Sequence, residues 1–246
     1  MFERNKILYY ALKYQGDWSS IARAIQRKES YQEVHYPLNY LTILDEAYPN
    51  SLKELRYPPW ILFYKGDITL LKKEKISIIG SRDYCEYGRS STEEVIQNLP
   101  SSYVIVSGLA KGIDAYAHQY AIQYGHSTIG VIGCGIDVIY PKQNAYLYKE
   151  MENQHLIISE YPGKVPPRKV HFPWRNRIIA SLGKALIVTD AKIHSGTMLT
   201  VNEAISLSKD IYCIPYPYRV KNGEGCNLLI SQGAFILNDI SLIRAL

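Results

Sequence analysis

The sequence predicts an α/β fold built on a doubly wound, mostly parallel sheet, with a short helical region at the N-terminus. From residue 75 onward, short apolar runs alternate with amphipathic stretches. Uninterrupted apolar runs are typical of parallel strands that are buried on both faces. The chain has 246 residues, and at ~150 residues per domain this is more than one domain and less than two. One large domain with a smaller additional piece is therefore expected.

The composition is that of a globular protein with a local excess of positive charge. Apolar residues make up 47% and charged residues 21% of the chain, which excludes overall disorder. The formal net charge is +5, yet residues 161–189 hold six basic residues and no acidic one. These are Lys164, Arg168, Lys169, Arg175, Arg177 and Lys184. Such a segment favours an anionic ligand, and the alternative is a solvated loop.

The cysteines and the N-terminus favour a cytoplasmic location. The four cysteines form no CxxC pair of the kind used for zinc or redox chemistry. The first residues lack the apolar core and small-residue cleavage site of a secretory signal. No apolar run approaches the ~18 residues of a membrane span. We therefore expect reduced thiols and no association with a membrane.

The first 74 residues are expected to form two small units. In residues 1–36, apolar residues at helical spacing predict one helix around Ile7 and Leu8, and Asp17 or Ser19 is a candidate cap for a second helix. This piece is too short for a core of its own and must pack against the rest of the chain. Residues 37–74 contain several prolines and are expected to be a linker with one or two short strands that leads into the sheet.

Residues 75–246 are expected to form the large domain. Seven apolar runs predict its strands: Ile76–Ile79, Tyr103–Val106, Thr128–Ile132, Leu156–Ile158, Ala185–Val188, Ile211–Ile214 and Ala234–Leu237. Between them, the residues from Ile113 to Tyr124 show helical spacing. Pro173 suits the first turn of another helix.

Small and polar residues follow several of these strands. They are Gly80, Ser81 and Arg82 after the first strand, Ser107, Gly108, Lys111 and Gly112 after the second, and Ser195, Gly196 and Thr197 a few residues beyond the fifth. Loops after parallel strands meet at one edge of the sheet, where the following helix N-termini suit phosphate. Neither a Walker A loop nor a dinucleotide GxGxxG motif with its acidic residue is present. The phosphate of a mononucleotide or of a nucleic acid is therefore favoured over NAD.

Aromatic and basic side chains alternate at the start of the helix that contains Pro173. Phe172, Trp174 and Arg175 are expected to lie near the phosphate-binding loops. Charge for the backbone and ring faces for the bases are what single-stranded nucleic acid requires. The alternative is that both rings belong to the core and that Arg177 pairs with an acidic residue.

No convincing catalytic set is found. Asp114 and His118 lie at positions i and i+4 of a predicted helix and could share a face. They lack a third ligand at motif spacing, and structural roles are expected for both. We therefore expect no catalytic residues, no metal site and no cofactor.

Read together, these segments resemble the DprA (Smf) family of DNA-processing proteins. The resemblance is carried by GSR at 80–82, SGLAKGID at 107–114, TIGVIGCGIDVIYP at 128–141, SEYP at 159–162, FPWRNRIIA at 172–180, SGTMLT at 195–200 and GCNLLISQGA at 225–234. It covers residues 36 to 240. It implies a Rossmann-like domain that binds single-stranded DNA, protects incoming DNA and loads the RecA recombinase during natural transformation.

The resemblance also implies site residues and a homodimer. Ser81 and Arg82 belong by motif position to a phosphate loop and Lys111 to a second loop, whereas Phe172, Arg175 and Asn176 form a third contact region. The dimer contact is expected in the C-terminal part of the domain, with Leu228, Leu229 and Ile230 as candidates.

The chain departs from the family pattern at several points. Trp174 stands where the family commonly has a basic residue, so stacking could replace charge there. The region 1–36 is shorter than a full sterile-alpha-motif-like domain, and no C-terminal winged helix is expected.

Two rival functions are a phosphoribohydrolase-type nucleotide enzyme and a nucleotide sensor. The enzyme's PGGxGTxxE motif is incomplete here, because no PGG precedes Ser195-Gly196-Thr197. Glu203 also lies six residues beyond Thr197, where the motif places its glutamate at three.

Overall fold

The computed structural model describes residues 2–244, and its strands form a single sheet. Within this range the strands are β1 (Asn39–Thr42), β2 (Ile61–Gly66), β3 (Lys75–Gly80), β4 (Val104–Ser107), β5 (Thr128–Val131), β6 (Leu156–Ser159), β7 (Ala185–Asp190), β8 (Asp210–Cys213) and β9 (Phe235–Ile236). The seven strands predicted beyond residue 75 are all present, with ends within two residues of the apolar runs. Most of these strands are rich in Ile, Val and Leu and are buried on both faces, whereas β8 and the edge strand β9 are partly exposed.

Helices cover both faces of this sheet. They are α1 (Phe2–Lys13), α2 (Trp18–Gln26), α3 (Asn50–Lys53), α4 (Glu86–Asn98), α5 (Ile113–Gln123), α6 (Ala145–Gln154), α7 (His171–Leu182), α8 (Gly196–Ser206), α9 (Glu224–Ser231) and α10 (Ile240–Arg244). Pro173 lies in the first turn of α7, as predicted. None of the described helices is long and apolar enough to cross a membrane.

The order of the strands defines where a ligand could bind. Across the sheet the order is β1-β2-β6-β5-β4-β3-β7-β8-β9. From β3 the chain proceeds outward through β4, β5 and β6, and it then returns to the other side of β3 to add β7, β8 and β9. All neighbours from β6 to β9 are parallel. The order therefore reverses between β3 and β7, and doubly wound sheets bind ligands outside the carboxyl ends of the strands at such a point.

The segment 37–74 contributes two strands to the sheet itself. Its prolines predict a linker with short strands, whereas in the structure β1 and β2 extend the sheet beyond β6 as an antiparallel edge. The division into units at residues 36 and 74 remains a prediction. Residues 245 and 246 of the third unit lie outside the described residues.

The N-terminal helices pack against this antiparallel edge. Asp17 caps α2, because its carboxylate accepts a hydrogen bond from the backbone N–H of Ser20 at 2.8 Å. Ile7 and Ile21 are buried in a hydrophobic cluster with Phe63 of β2. The two helices thus complete a core that the sheet begins, as expected for a piece too small to fold alone.

Candidate functional site

A cleft of about 630 Å³ opens at the reversal point, between the loops that follow β3 and β7. It is bounded by the first turns of α7 and α8, so helix N-termini border it. Nine predicted site residues line it: Gly80, Ser81, Arg82, Phe172, Arg175, Asn176, Ser195, Gly196 and Thr197. Gly108 and Lys111 line a smaller adjoining depression that shares Arg82, Phe172 and Arg175 with the cleft. Ser107, Gly112 and Trp174 line neither of the two.

The loop after β3 presents Arg82 to solvent. Ser81 is buried, and its hydroxyl donates to the carbonyl oxygen of Asp83 at 2.9 Å and accepts from the Asp83 N–H at 3.1 Å. This turn leaves Arg82 exposed, with its guanidinium carbon 5.5 Å from the centroid of the Phe172 ring. Ser81 therefore shapes the loop, and Arg82 is the side chain free to meet a ligand.

The loop after β4 supports the cleft from behind. The Ser107 hydroxyl donates to the backbone carbonyl oxygen of Ile78 at 2.7 Å and is fully buried, so it does not face a ligand. Gly112 has a φ of 77°, and a Cβ at this position would lie 2.3 Å from the carbonyl oxygen of Ser81. A glycine is required there because the two loops touch. Lys111, by contrast, is exposed at the rim.

Arg175 forms the floor of the cleft rather than its rim. It is 3% exposed, and its Nη1 donates to the backbone carbonyl oxygen of Gly108 at 2.6 Å and also to that of Val131. A Cβ at Gly108 would lie 2.3 Å from Arg175 Nη1 and 2.4 Å from Asp114 Oδ2, so a side chain at this position would displace these two charged groups. Burial raises the pKa of Asp114, and the guanidinium groups of Arg175 and Arg82 oppose that shift.

Trp174 faces away from the cleft. Its ring lies 5.5 Å from Tyr57 and 6.4 Å from Trp18, centroid to centroid, and the Arg177 guanidinium lies 4.4 Å above it. The expectation that Trp174 joins Phe172 at the phosphate loops is therefore wrong. It packs the N-terminal region against α7, because residues two apart on a helix point to different sides.

The loop before α8 completes the far wall. The Ser195 hydroxyl donates to the carbonyl oxygen of Lys192 at 2.8 Å, which fixes the turn into the helix. Gly196 is exposed, and Thr197 is 8% exposed. The loop thus brings backbone and hydroxyl groups to the cleft, together with the charged side chain of Lys192.

The sequence reasoning missed several residues at the rim. Tyr140, Asp83, Lys169 and Lys192 also line the cleft. The rings of Tyr140 and Phe172 lie 5.6 Å apart and are tilted by 34°, so they form a pair of aromatic surfaces. Tyr140 could have been found from its place in the loop after β5, and Lys169 belongs to the basic segment already singled out.

The arrangement suits phosphate and flat rings. The cations Arg82, Lys169 and Lys192 stand at the rim beside two aromatic rings, and Lys111 lies next to them. Among the described residues, no group of three or more His, Cys, Asp or Glu side chains could hold a metal ion.

Asp114 and His118 are both buried. His118 Nδ1 lies 2.7 Å from the Thr128 hydroxyl, and burial lowers the pKa of His118 to about 3. The imidazole is therefore neutral at physiological pH, and it ties α5 to β5.

The three residues expected at a dimer contact differ in exposure. Leu229 on α9 is 3% exposed and belongs to the core, whereas Leu228 and Ile230 are half-buried. Beyond them, Phe235 and Ile236 of the edge strand β9 are 52% and 40% exposed. The accessible apolar surface thus lies on β9 more than on α9.

Comparison with known proteins gives one family. The model for "DNA recombination-mediator protein A" matches residues 39–245. DNA processing protein DprA of Streptococcus pneumoniae is 42% identical over 231 residues, covering 94% of this chain and 78% of that protein. DprA of Bacillus subtilis is 39% identical over 199 residues, covering 80% of this chain and 67% of that protein. The chain belongs to the DprA family.

Solved structures agree with this assignment. The crystal structure of DprA from Streptococcus pneumoniae superposes with a TM-score of 0.84 at 39% identity, covering 97% of this chain and 91% of that one. DprA from Helicobacter pylori, whose structure is described for its single-stranded DNA binding mode, gives a TM-score of 0.76 at 31% identity. It covers 84% of this chain and 95% of that one. The predicted α/β fold and the predicted family are both confirmed.

Proposed function

We propose that this protein binds single-stranded DNA in the cleft between the loops after β3 and β7. One observation carries the proposal: exposed cations surround a pair of accessible aromatic rings, Tyr140 and Phe172. Cations suit the DNA backbone, and ring faces suit unstacked bases. The single-stranded DNA binding mode described for the Helicobacter pylori relative supports the same ligand.

The experiment is a fluorescence-anisotropy titration with single-stranded and double-stranded oligonucleotides of the same sequence. Single strands are expected to bind more tightly, since bases in a duplex cannot reach the rings. Phe172→Ala should remove most of this preference, and Arg4→Ala on α1 should leave it unchanged. Equal affinity for the two forms at moderate salt would contradict the proposal.

We also propose the finer role that family membership suggests. In this role the protein protects incoming DNA and loads the RecA recombinase onto it during natural transformation, in the cytoplasm and without catalysis or a cofactor. The test is a RecA filament assay on single strands coated with a single-strand-binding protein. Addition of this chain should shorten the lag before filaments grow, and Arg82→Ala should restore the lag.

A homodimer is part of this proposal. Phe235 and Ile236 expose apolar surface on an unpaired sheet edge, which proteins usually cover. We expect light scattering to report a dimer at tens of micromolar. Phe235→Glu should give folded monomers, whereas Leu229→Glu should unfold the chain because Leu229 is core. A folded wild-type monomer at this concentration would contradict the dimer.

A further inference from the structure

A second depression lies beside the cleft, on the other side of the first turn of α7. It has a volume of about 300 Å³ and is lined by both the N-terminal region and the loop before α7. We name it the side pocket and define it by Asp17, Trp18, Arg168, His171 and Trp174. It is aromatic and carries one exposed cation, so its chemistry resembles that of the cleft.

His171 forms part of the wall of the side pocket. His171 is 9% exposed and stacks on Tyr161 with ring centroids 4.0 Å apart. Its Nδ1 makes no hydrogen bond within the described part of the chain. Burial lowers the pKa of His171, which keeps the ring neutral.

The charges in the side pocket indicate where the phosphate and the base of a nucleotide would lie. Asp17 accepts a hydrogen bond from the Ser20 N–H, so this end of α2 is already capped and is not open to an anion. Arg168, on the opposite segment, is exposed. A phosphate would therefore lie on the Arg168 side, and the uncharged base would occupy the space between Trp18 and His171.

The two sites are joined by a short stretch of chain. Lys169, Phe172 and Pro173 line the cleft, whereas Arg168 and His171 line the side pocket. One strand that crosses residues 168–173 would therefore reach both. Resting on the proposed function, we infer that the side pocket is an accessory site, which binds one unstacked base of the same DNA strand after that strand leaves the cleft.

The first test maps the position of the DNA directly on the wild-type protein. Photoreactive 5-iododeoxyuridine is substituted at successive positions of a series of lengthening oligonucleotides, and crosslinked tryptic peptides are identified. We expect the peptide of residues 14–23, which contains Trp18, to be labelled only by oligonucleotides longer than the shortest one that binds. Labels confined to peptides of the cleft at every length would overturn the inference.

The second test uses two exposed cations of one loop. Arg168→Ala should weaken binding of the long oligonucleotides and lower the slope of their log affinity against log salt by about 0.7, because it removes one phosphate contact. It should leave the shortest oligonucleotide unaffected. Lys164→Ala is the matched control, since Lys164 lines a different depression. If Arg168→Ala and Lys164→Ala behave alike at every length, the inference is wrong.

A third variant separates this inference from the proposed function. Arg82→Ala should weaken binding at every length, because Arg82 lies in the cleft. If Arg82→Ala weakens binding and Arg168→Ala does not, the side-pocket inference is wrong and the proposed function still stands. If Arg82→Ala leaves the binding of every oligonucleotide unchanged, the cleft itself is wrong. Circular dichroism of each variant confirms that it is folded.

Discussion

Two arginine–aromatic pairs flank the start of α7, and they serve different purposes. On the cleft side, the exposed Arg82 lies 5.5 Å from the Phe172 ring. On the other side, Arg177 lies 4.4 Å from the Trp174 ring and is 4% exposed. The contact is chemically the same, but the Arg82 guanidinium is exposed and can meet a ligand, whereas the Arg177 guanidinium is buried. The burial of the arginine, and not the type of residue, distinguishes the two pairs.

The structural pair is fixed by a buried ion pair. Arg177 Nη2 lies 2.6 Å from a carboxylate oxygen of Glu160, and both side chains are almost fully buried. Trp174 in turn packs against Trp18 and Tyr57. The N-terminal region is thus held against α7 by packing that depends on one paired charge.

Breaking the structural pair should have the largest effect. Arg177→Ala leaves Glu160 buried without its partner, and loss of one member of a buried pair typically costs about 3–5 kcal/mol of unfolding free energy. Urea unfolding followed by circular dichroism measures this loss. The fraction that stays folded should bind the shortest oligonucleotide normally, so a stable Arg177→Ala protein that binds this oligonucleotide weakly would contradict the comparison.

The same variant should acquire a distinctive dependence on pH. Burial raises the pKa of Glu160, and Arg177 opposes that shift, so removal of Arg177 raises the pKa further. The folded state then binds a proton that the unfolded state releases above its ordinary pKa of about 4.3. The unfolding free energy of Arg177→Ala should therefore fall as the pH rises through the pKa of the folded carboxyl. A variant that is equally destabilised at every pH would contradict this.

Alanine substitution of each of the two aromatic residues is the next test of the comparison. Phe172→Ala should weaken single-strand binding roughly five- to 150-fold, the range expected for one stacked base. Trp174→Ala should leave the affinity of the shortest bound oligonucleotide unchanged and lower the unfolding free energy, since it removes packing between the N-terminal region and α7. Anisotropy and urea unfolding of both variants measure the two effects. Similar effects on affinity would mean that both rings belong to the DNA site.

The sequence predicted the fold well, because its signal is local. The apolar runs of β3 to β9 are short and uninterrupted, and each was found within two residues. The sequence signal for the edge strands β1 and β2 is weaker. Pro58 and Pro59 beside β2 resemble linker residues, and the pairing of β2 with β6 is a long-range contact.

The candidate site was only partly predictable, because exposure depends on tertiary packing. The glycine loops indicated the correct edge of the sheet. Sequence alone did not reveal that Trp174 packs against the N-terminal region instead of facing the cleft. Nor did it reveal that the Ser107 hydroxyl donates a hydrogen bond within the sheet, or that the Arg175 guanidinium donates to backbone carbonyl oxygens. Tyr140 was missed because it is brought to Phe172 from a separate loop.

Arg82 should show its role in the salt dependence of binding. Each phosphate contact on a single strand adds about 0.7 to the slope of log affinity against log salt. Arg82→Ala should lower the slope by about that amount. Arg4→Ala is the matched control, because Arg4 also stacks on an aromatic ring, that of Tyr40, at 4.4 Å. Equal salt slopes for the two variants would mean that Arg82 does not contact a DNA phosphate.

The smallest effect concerns an acidic residue within the cleft. Lys192 Nζ lies 2.5 Å from a carboxylate oxygen of Asp83, whose side chain is 88% exposed. Exposed ion pairs contribute little to stability, so Asp83→Asn should leave the unfolding free energy nearly unchanged. The variant also loses a negative charge beside the DNA backbone and frees Lys192 for a phosphate. We expect affinity for single strands to rise a few-fold and the salt slope to increase by up to about 0.7.

Asp137→Asn is the matched control for this last prediction. Asp137 pairs with Lys65 at 3.2 Å, and Lys65 also pairs with Glu152 at 3.1 Å. Asp137→Asn therefore removes the same charge as Asp83→Asn, but neither Asp137 nor Lys65 lines the cleft. A general effect of net charge would raise the affinity of both variants equally, whereas a local effect would raise only that of Asp83→Asn. Anisotropy titrations at several salt concentrations distinguish the two. An unchanged salt slope for Asp83→Asn would mean that Lys192 does not meet the DNA, and that the binding cations are confined to the opposite wall of the cleft.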